Sequence, residues 1–316
     1  MAKRSAVKRK TERTSEGVNP RQPCPCGSGK RYKACHGSSG GPVEVPVARP
    51  LEGLASEGEL IALREFVPSA TFPLTLAKPA DREITLATVL PMAAAALVRA
   101  DGAALVGLQV QTRSLDVSRD MARALRWALE AEPGAVLPVV GPETDESPDR
   151  ERFQDMVDVD QVIEPEVHKD FSWWLPEGEE PTGEVALSLE RANAAIMPTE
   201  RIGPAAYWVE AGDRCHLRWV RSEPEEDLLL AMARLSARGE LGLGEGSRYA
   251  GCFRAHGVLV PVWDLDREQH AREWAKPAEE LGDRLTEALD SLSKTPLTSE
   301  ERRARDGLVG RQVTIR

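Results

Sequence analysis

The sequence predicts an α+β protein: a small cysteine-dense loop at the N-terminus, tethered to a body of two hairpin-plus-helix units. Three observations carry that prediction. Hydrophobic residues make up 41% and charged residues 29% of the 316, enough for a buried core, and 25 glycines and 23 prolines cut the chain into short elements. Strand-period runs joined by a Gly/Asp pair occur twice, and each is followed by a run of helical period. Three of the five cysteines fall between residues 24 and 35.

Charge is unevenly spread. The formal net charge is -10, yet residues 1–36 carry +8 and the remainder -18. Residues 1–19 hold Lys3, Arg4, Lys8, Arg9, Lys10 and Arg13 with almost no apolar side chains between them. Such an arm cannot bury enough surface to order itself. It reads either as a clamp for a polyanion such as RNA or as a tail on the chain's own acidic body. It has no apolar core of the secretory-signal kind. The most apolar run, Ile84 to Val98, contains Pro91 and falls short of the roughly 20 residues that a membrane-spanning helix needs. A reducing cytoplasm is the expected compartment, where clustered cysteines serve metals better than disulfides.

Residues 20–37 contain CPCGSGKRYKACHG, with Cys24, Cys26, Cys35 and His36 as four soft or borderline donors. Three thiolates and an imidazole close the tetrahedral shell of one Zn2+, leaving no position for water, so the site is read as structural. Gly27 and Gly29 permit a sharp turn after the second ligand. Eighteen residues cannot hold a hydrophobic core, and a metal is the usual remedy at that size. A disulfide would leave one thiol over and ignore the histidine. Gly27-Ser28-Gly29-Lys30 lacks the spacing of a phosphate loop. Lys30, Arg31, Tyr32 and Lys33 form the expected partner-binding face, with Tyr32 its one aromatic.

This segment resembles the SEC-C motif, the zinc-binding tail of the preprotein translocase ATPase SecA, and every characteristic position of the motif is filled. The resemblance assigns the ligands to Cys24, Cys26, Cys35 and His36. It also implies association with protein partners, since in the translocase the motif is linked to an export chaperone, ribosomes and acidic phospholipid. The likeness covers about eighteen residues, near the N-terminus rather than at the C-terminus, and no Walker or helicase signature follows. The whole chain resembles an uncharacterised actinobacterial family with an N-terminal SEC-C motif and a body of unknown function.

Residues 38–50 are Gly-rich, then Pro-rich, and read as a flexible linker. The first half of the body, 51–140, begins with a short helix ending at Pro68, then strands at TFPLTL and REITLATVLP. A hairpin turns at Asp101-Gly102, and a helix capped by Asp116 or Ser118 turns Met121, Leu125, Ala128 and Leu129 to one side. Residues 141–184 form a connection with fifteen acidic and three basic residues, holding Phe171, Trp173 and Trp174. These aromatics read as a plug in a groove of the body, or as an anchor for a partner.

The second half, 185–292, repeats the order. A hairpin turns at Gly212-Asp213, the helix after Pro224 turns Leu228, Met232 and Leu235 inward, and GVLVPVWDL is a buried strand. The last helix is expected to be interrupted at Pro277. Residues 293–316 read as a tail. The shared order fits a duplication or two unrelated α+β segments.

No nucleophile elbow, dinucleotide fingerprint or metalloprotease motif appears, and no catalytic residue is assigned. Cys215-His216 and Cys252-x3-His256 are poor candidates for a second zinc site, because neighbours on a strand face opposite sides. His168, Asp170 and Ser172 share a loop without forming a triad by sequence alone. The leading expectation is a zinc-binding cytoplasmic adaptor docking on protein partners through its SEC-C motif, with secretion or ribosome-associated machinery as the expected class. The alternatives are an enzyme with its active site in the body, and a nucleic-acid or ribosome binder acting through the basic arm.

Overall fold

A computed structural model of the chain describes residues 21–24, 30–34, 46–110, 115–141, 151–176 and 178–310. The chain divides into two compact units, residues 1–48 and 49–316. The second unit is α+β and starts from a helix that is apolar on nearly every side. In α1 (Glu57–Glu65), Leu60, Ile61, Ala62 and Leu63 are all at most 2% exposed. A helix of that kind belongs in a protein interior.

The first sheet uses β1 (Ala70–Leu74), β2 (Ile84–Ala87), β3 (Ala96–Val98), β4 (Ala104–Gly107), β5 (Val136–Leu137) and β6 (Glu166–Val167), in the order β5-β3-β4-β2-β1-β6. The β3–β4 hairpin pairs Val98 with Ala104 across the expected turn, where Gly102 has φ +90°. β4 then runs parallel to β2, from Ile84–Ala104 to Ala87–Gly107, while the other pairs are antiparallel. α2 (Val117–Glu130) follows, its first turn capped by the Asp116 carboxylate, which accepts from Ser118 N–H at 3.0 Å. Met121, Leu125 and Ala128 point into the core as expected, with Leu129 half-buried at its margin. The return strand is shorter than the apolar alternation implied. Beyond Gly107, the Gln109 amide turns back and donates to the carbonyls of Leu63 and Val67 at 2.7 and 2.6 Å. It thereby satisfies acceptors left open at the end of α1.

In the acidic connection, α3 (Phe153–Met156) buries Phe153 completely. Phe171 is 4% exposed and stacks on Trp174 with ring centroids 4.6 Å apart. The Trp173 indole N–H donates to Ser69 Oγ, and that of Trp174 to the Val89 carbonyl, both at 2.9 Å. Arg99 donates to the carbonyls of Trp173 and Leu175. The aromatics act as a plug: Trp173 packs on a cluster of Ala87, Leu90, Ala94 and Leu105 that is separate from the core around α1 and α2. α4 (Gly183–Ala194) buries only Leu189.

The second sheet is wholly antiparallel, in the order β10-β11-β9-β8-β7. Its strands are β7 (Thr199–Gly203), β8 (Ala206–Ala211), β9 (Arg214–Trp219), β10 (Ser247–Ala255) and β11 (Val258–Leu265). The expected turn at Gly212-Asp213 joins β8 to β9, with Ala211 paired to Arg214. The two halves share hairpin-then-helix order but differ in the sheet around it. One face of the second sheet (Tyr207, Val209, Val220, Val258, Val260) completes the core around α1. The other face (Trp208, Leu217, Trp263) packs with α5 (Glu225–Ala237), α6 (Ala275–Leu292) and α7 (Ser299–Val309).

Two sequence expectations differ from this arrangement. Pro277 does not interrupt its helix, because it lies in the first turn of α6, where backbone N–H groups have no partner within the helix. The stretch read as a tail holds α7, started by a capping box. Thr298 Oγ1 accepts from Glu301 N–H, and Glu301 Oε2 accepts from Thr298 N–H at 2.8 Å. Glu301 also takes the Arg234 Nε–H of α5 at 3.1 Å, with Arg234 2% and Glu301 6% exposed. The remaining donors of Arg234 go to Ser291 Oγ and the Thr295 carbonyl.

At the start of α1, Glu59 is 5% exposed and accepts from Arg201, from Ala205 N–H at 2.8 Å and from the Tyr207 hydroxyl. Burial first, and then the Glu59 charge, push the Tyr207 phenol far above its ordinary pKa, so it stays a donor. Substituting Glu59→Ala removes the acceptor of the half-buried Arg201 guanidinium, the Ala205 N–H and the buried Tyr207 hydroxyl, and should cost about 3–5 kcal/mol in urea denaturation of the full chain. Glu52→Ala, whose side chain is 68% exposed, should stay within about 0.5 kcal/mol. Equal losses in the two variants would overturn this account of the junction.

The α7 contact predicts a pH dependence. Burial alone would raise the Glu301 carboxyl, but the Thr298 N–H and Arg234 outweigh it and hold its pKa below the ordinary value. A depressed carboxylate stabilises the fold above its unfolded pKa of about 4.3, and that contribution is lost as pH falls through the folded value. The melting temperature of Glu301→Gln should therefore fall less steeply than that of the wild type below about pH 4.3. Parallel curves would show that Glu301 plays no part in the acid transition.

Candidate metal centre

In the first unit, main-chain bonds fold the start of the cysteine segment into a short hairpin. Cys24 N–H donates to the Lys30 carbonyl and Tyr32 N–H to the Gln22 carbonyl, both at 2.8 Å, on either side of an antiparallel bridge between Pro23 and Arg31. The returning limb ends in a 3-10 turn, Tyr32–Ala34. The hairpin thus brings the chain before residue 25 back beside the chain after residue 29. Among the described residues of this hairpin only Cys24 and Tyr32 are buried, each 4% exposed. Burial, and secondarily the Cys24 sulfur, raise the Tyr32 phenol above its ordinary pKa.

Lys30, Arg31 and Lys33 are exposed, as a contact face requires. Tyr32, expected on that face, is turned inward instead, so its ring offers no stacking surface. Cys26, Cys35 and His36 lie outside the described residues, as do the basic arm 1–19 and residues 38–45 of the linker. As residue types, three cysteines and a histidine suit zinc. Of the four, Cys24 is among the described residues, and it is buried there beside Tyr32.

Elsewhere the sequence candidates are not brought together. Cys215 is 1% exposed and faces the second core, while His216 projects from the opposite side of β9. Cys252 is buried in β10, whereas His256 sits in the β10–β11 turn with Nε2 2.7 Å from Glu65 Oε1. Burial raises the thiols of Cys215 and Cys252, which makes them poor ligands and nucleophiles. Among the described residues no group of three or more His, Cys, Asp or Glu is placed to hold a metal. His168 Nε2 meets Thr71 Oγ1 at 2.7 Å, while Asp170 accepts from Ser172 N–H, so these three residues do not form a triad. His270 caps its own 3-10 turn at the surface.

An α+β body behind a SEC-C hairpin is thus the class that fold and site define. Residues 21–38 match the SEC-C motif. The chain belongs to the Family of unknown function (DUF5926), whose model matches residues 50–316. A stretch of 34 residues is 59% identical to the protein translocase subunit SecA of Bacteroides fragilis. That stretch is 11% of this chain and 3% of the relative, so the likeness covers a short segment of either protein. No solved structure matches the chain. Among the described residues, no helix is long and apolar enough to cross a membrane.

Proposed function

We propose that the protein is a zinc-binding cytoplasmic adaptor whose SEC-C hairpin docks on a protein partner. The observation that carries this reading is the hairpin itself: a buried Cys24 at the first ligand position, beneath an exposed rim of Lys30, Arg31 and Lys33. Cys24, Cys26, Cys35 and His36 would hold the ion in a closed shell. Bound there, zinc supplies folding energy rather than a reactive water. The chain's own part is to present the basic rim in a fixed arrangement and to seat the Tyr32 ring beneath it. A rim of three cations suits an acidic protein surface. The motif's occurrence in a translocase subunit makes secretion or ribosome-associated machinery the class of partner.

Protein purified without chelator should carry one zinc per chain by elemental analysis. Cys26→Ser with Cys35→Ser should carry none, while the thermal unfolding of the body stays unchanged. Tyr32→Ala should lose zinc to a competing chelator roughly tenfold more readily. In pull-downs from the native host's lysate at low and moderate salt, wild type alone should enrich a secretion or ribosomal protein. The reading fails if wild type holds no zinc, or if the double variant recovers the same partners.

A further inference from the structure

The face of the second sheet that completes the core around α1 is longer than its cover. Tyr207, Val209, Val220, Val258 and Val260 are buried there, but the face continues through Arg218, His216, Val262 and Asp264, all half-buried. Pairing sets these side by side: His216 lies opposite Asp264, Arg218 opposite Val262, and Arg248 opposite Asp264. Gly251, paired with Val262, adds no side chain, so Val262 forms a floor between Arg218 and the edge strand β10. Beyond the ledge, Arg248 and Asp264 also line a cleft of about 330 Å³ together with Gly246, Ser247, Leu265 and Asp266; Arg218, His216 and Val262 are not part of its lining.

Arg218 is the anomaly. Its guanidinium lies over the Phe66 ring, 5.7 Å from the centroid, and among the described residues it makes no ion pair or hydrogen bond. Several other partly or fully buried arginines of this body have a polar partner: Arg234 has Glu301, Arg201 has Glu59, Arg49 has Glu57, and Arg82 has the carbonyls at the end of α2. Burial alone holds the Arg218 pKa below its ordinary value, with no carboxylate to offset it. A cation partly withdrawn from water without a partner is disfavoured, and this one sits in a body that does not lack acids. The neighbouring His216 Nδ1 is buried too. It lies 3.1 Å from Asp264 Oδ1 but off the line that a hydrogen bond needs. Asp264 Oδ2 is already engaged by Arg248 at 2.7 Å. Arg214 flanks the ledge from the same face of β9. Arg214, Arg218 and Arg248 stand here against Asp264 and Asp266, and of the three arginines Arg248 is the one paired to Asp264.

We propose that this ledge binds the oxyanion group of a small ligand, a carboxylate or a phosphate, seated on Val262 with Arg218 as its bidentate donor and His216 beside it. A planar guanidinium presents paired N–H groups to either anion, and the Phe66 stack fixes its plane. The apolar floor suits a ligand whose remainder is not strongly hydrated.

The test uses the full chain with 15N-labelled histidine. Inorganic phosphate and, separately, acetate are titrated at constant pH, with a sodium chloride titration matched for ionic strength. His216 is assigned by loss of its signal in His216→Asn. The expected result is a saturable shift of the His216 imidazole with phosphate, acetate or both, the other histidines following the chloride control. Phosphate alone would identify a phosphoryl ligand, and acetate alone a carboxylate. Arg218→Gln should weaken binding roughly 10- to 100-fold, the worth of hydrogen bonds to a charged group. Arg218→Lys, which keeps a cation over Phe66, should fold normally yet bind more weakly than wild type, because it lacks the planar fork. The proposal is overturned if neither anion moves His216 beyond the chloride control. It is equally overturned if Arg218→Lys and wild type respond alike, since Arg218 would then be a packing cation and no more.

Discussion

Much of the body depends on burying α1 from every direction. A nine-residue helix has few backbone bonds of its own, and its ends leave donors and acceptors that must find partners in the interior. At the N-terminal end two carboxylates, Glu57 and Glu59, lie where the helix dipole favours negative charge; Glu57 is held by the nearby Arg49 and Glu59 by Arg201 from a distant part of the chain. At the other end the Gln109 amide takes up carbonyls, and Phe66 closes onto Tyr207 with ring centroids 6.0 Å apart. These polar clamps come from the linker region, the first sheet and the second sheet. The two halves of the body therefore share one core because they share one helix.

That constraint reaches the backbone. Ala205 adopts φ +50°, a conformation that disfavours non-glycine residues, at the turn entering β8. There its N–H points at Glu59, and its methyl lies where Gly58 leaves room. A Cβ on Gly58 would stand 3.2 Å from that of Ala205. The strain at one residue and the missing side chain at another let a buried carboxylate be enclosed by donors on several sides.

The sequence disclosed the elements better than their neighbours. Alternation along β9 was legible, and so were both hairpin turns, since each rests on short-range pattern and local turn chemistry. The parallel pairing of β2 with β4 was not, because nothing local distinguishes it from an antiparallel meander. α7 was missed for a physical reason. Of its apolar residues only Leu308 is buried, and a buried ion pair holds the helix in place of an apolar stripe. Its Thr298-x-x-Glu301 box was the available signal. At the SEC-C hairpin, composition and spacing made the motif legible but could not say which way Tyr32 would turn. That depends on the main-chain register set by Cys24, Lys30 and Gln22.

The arginines separate architecture from what looks outward. Where this chain buries a guanidinium for structural ends, it supplies the acceptor itself, and the acceptor comes from a segment that the contact ties down: Glu301 for α7, Glu59 for α1, and the α2 carbonyls for the loop carrying Arg82. Each arrangement satisfies a charge and fixes topology together. Arg218 ties nothing down. Its contact is the face of Phe66, which would pack equally well against an apolar side chain that carries no desolvation cost. A half-buried charge that has no ion pair or hydrogen bond among the described residues, beside a histidine whose Nδ1 meets Asp264 in poor hydrogen-bond alignment, has the character of a recognition group rather than a structural one. The basic rim of the SEC-C hairpin differs in kind: its cations, Lys30, Arg31 and Lys33, are exposed and open to screening by salt. The ledge on the second sheet is small, recessed and geometrically specific, so the two basic features of this acidic protein call for different ligands.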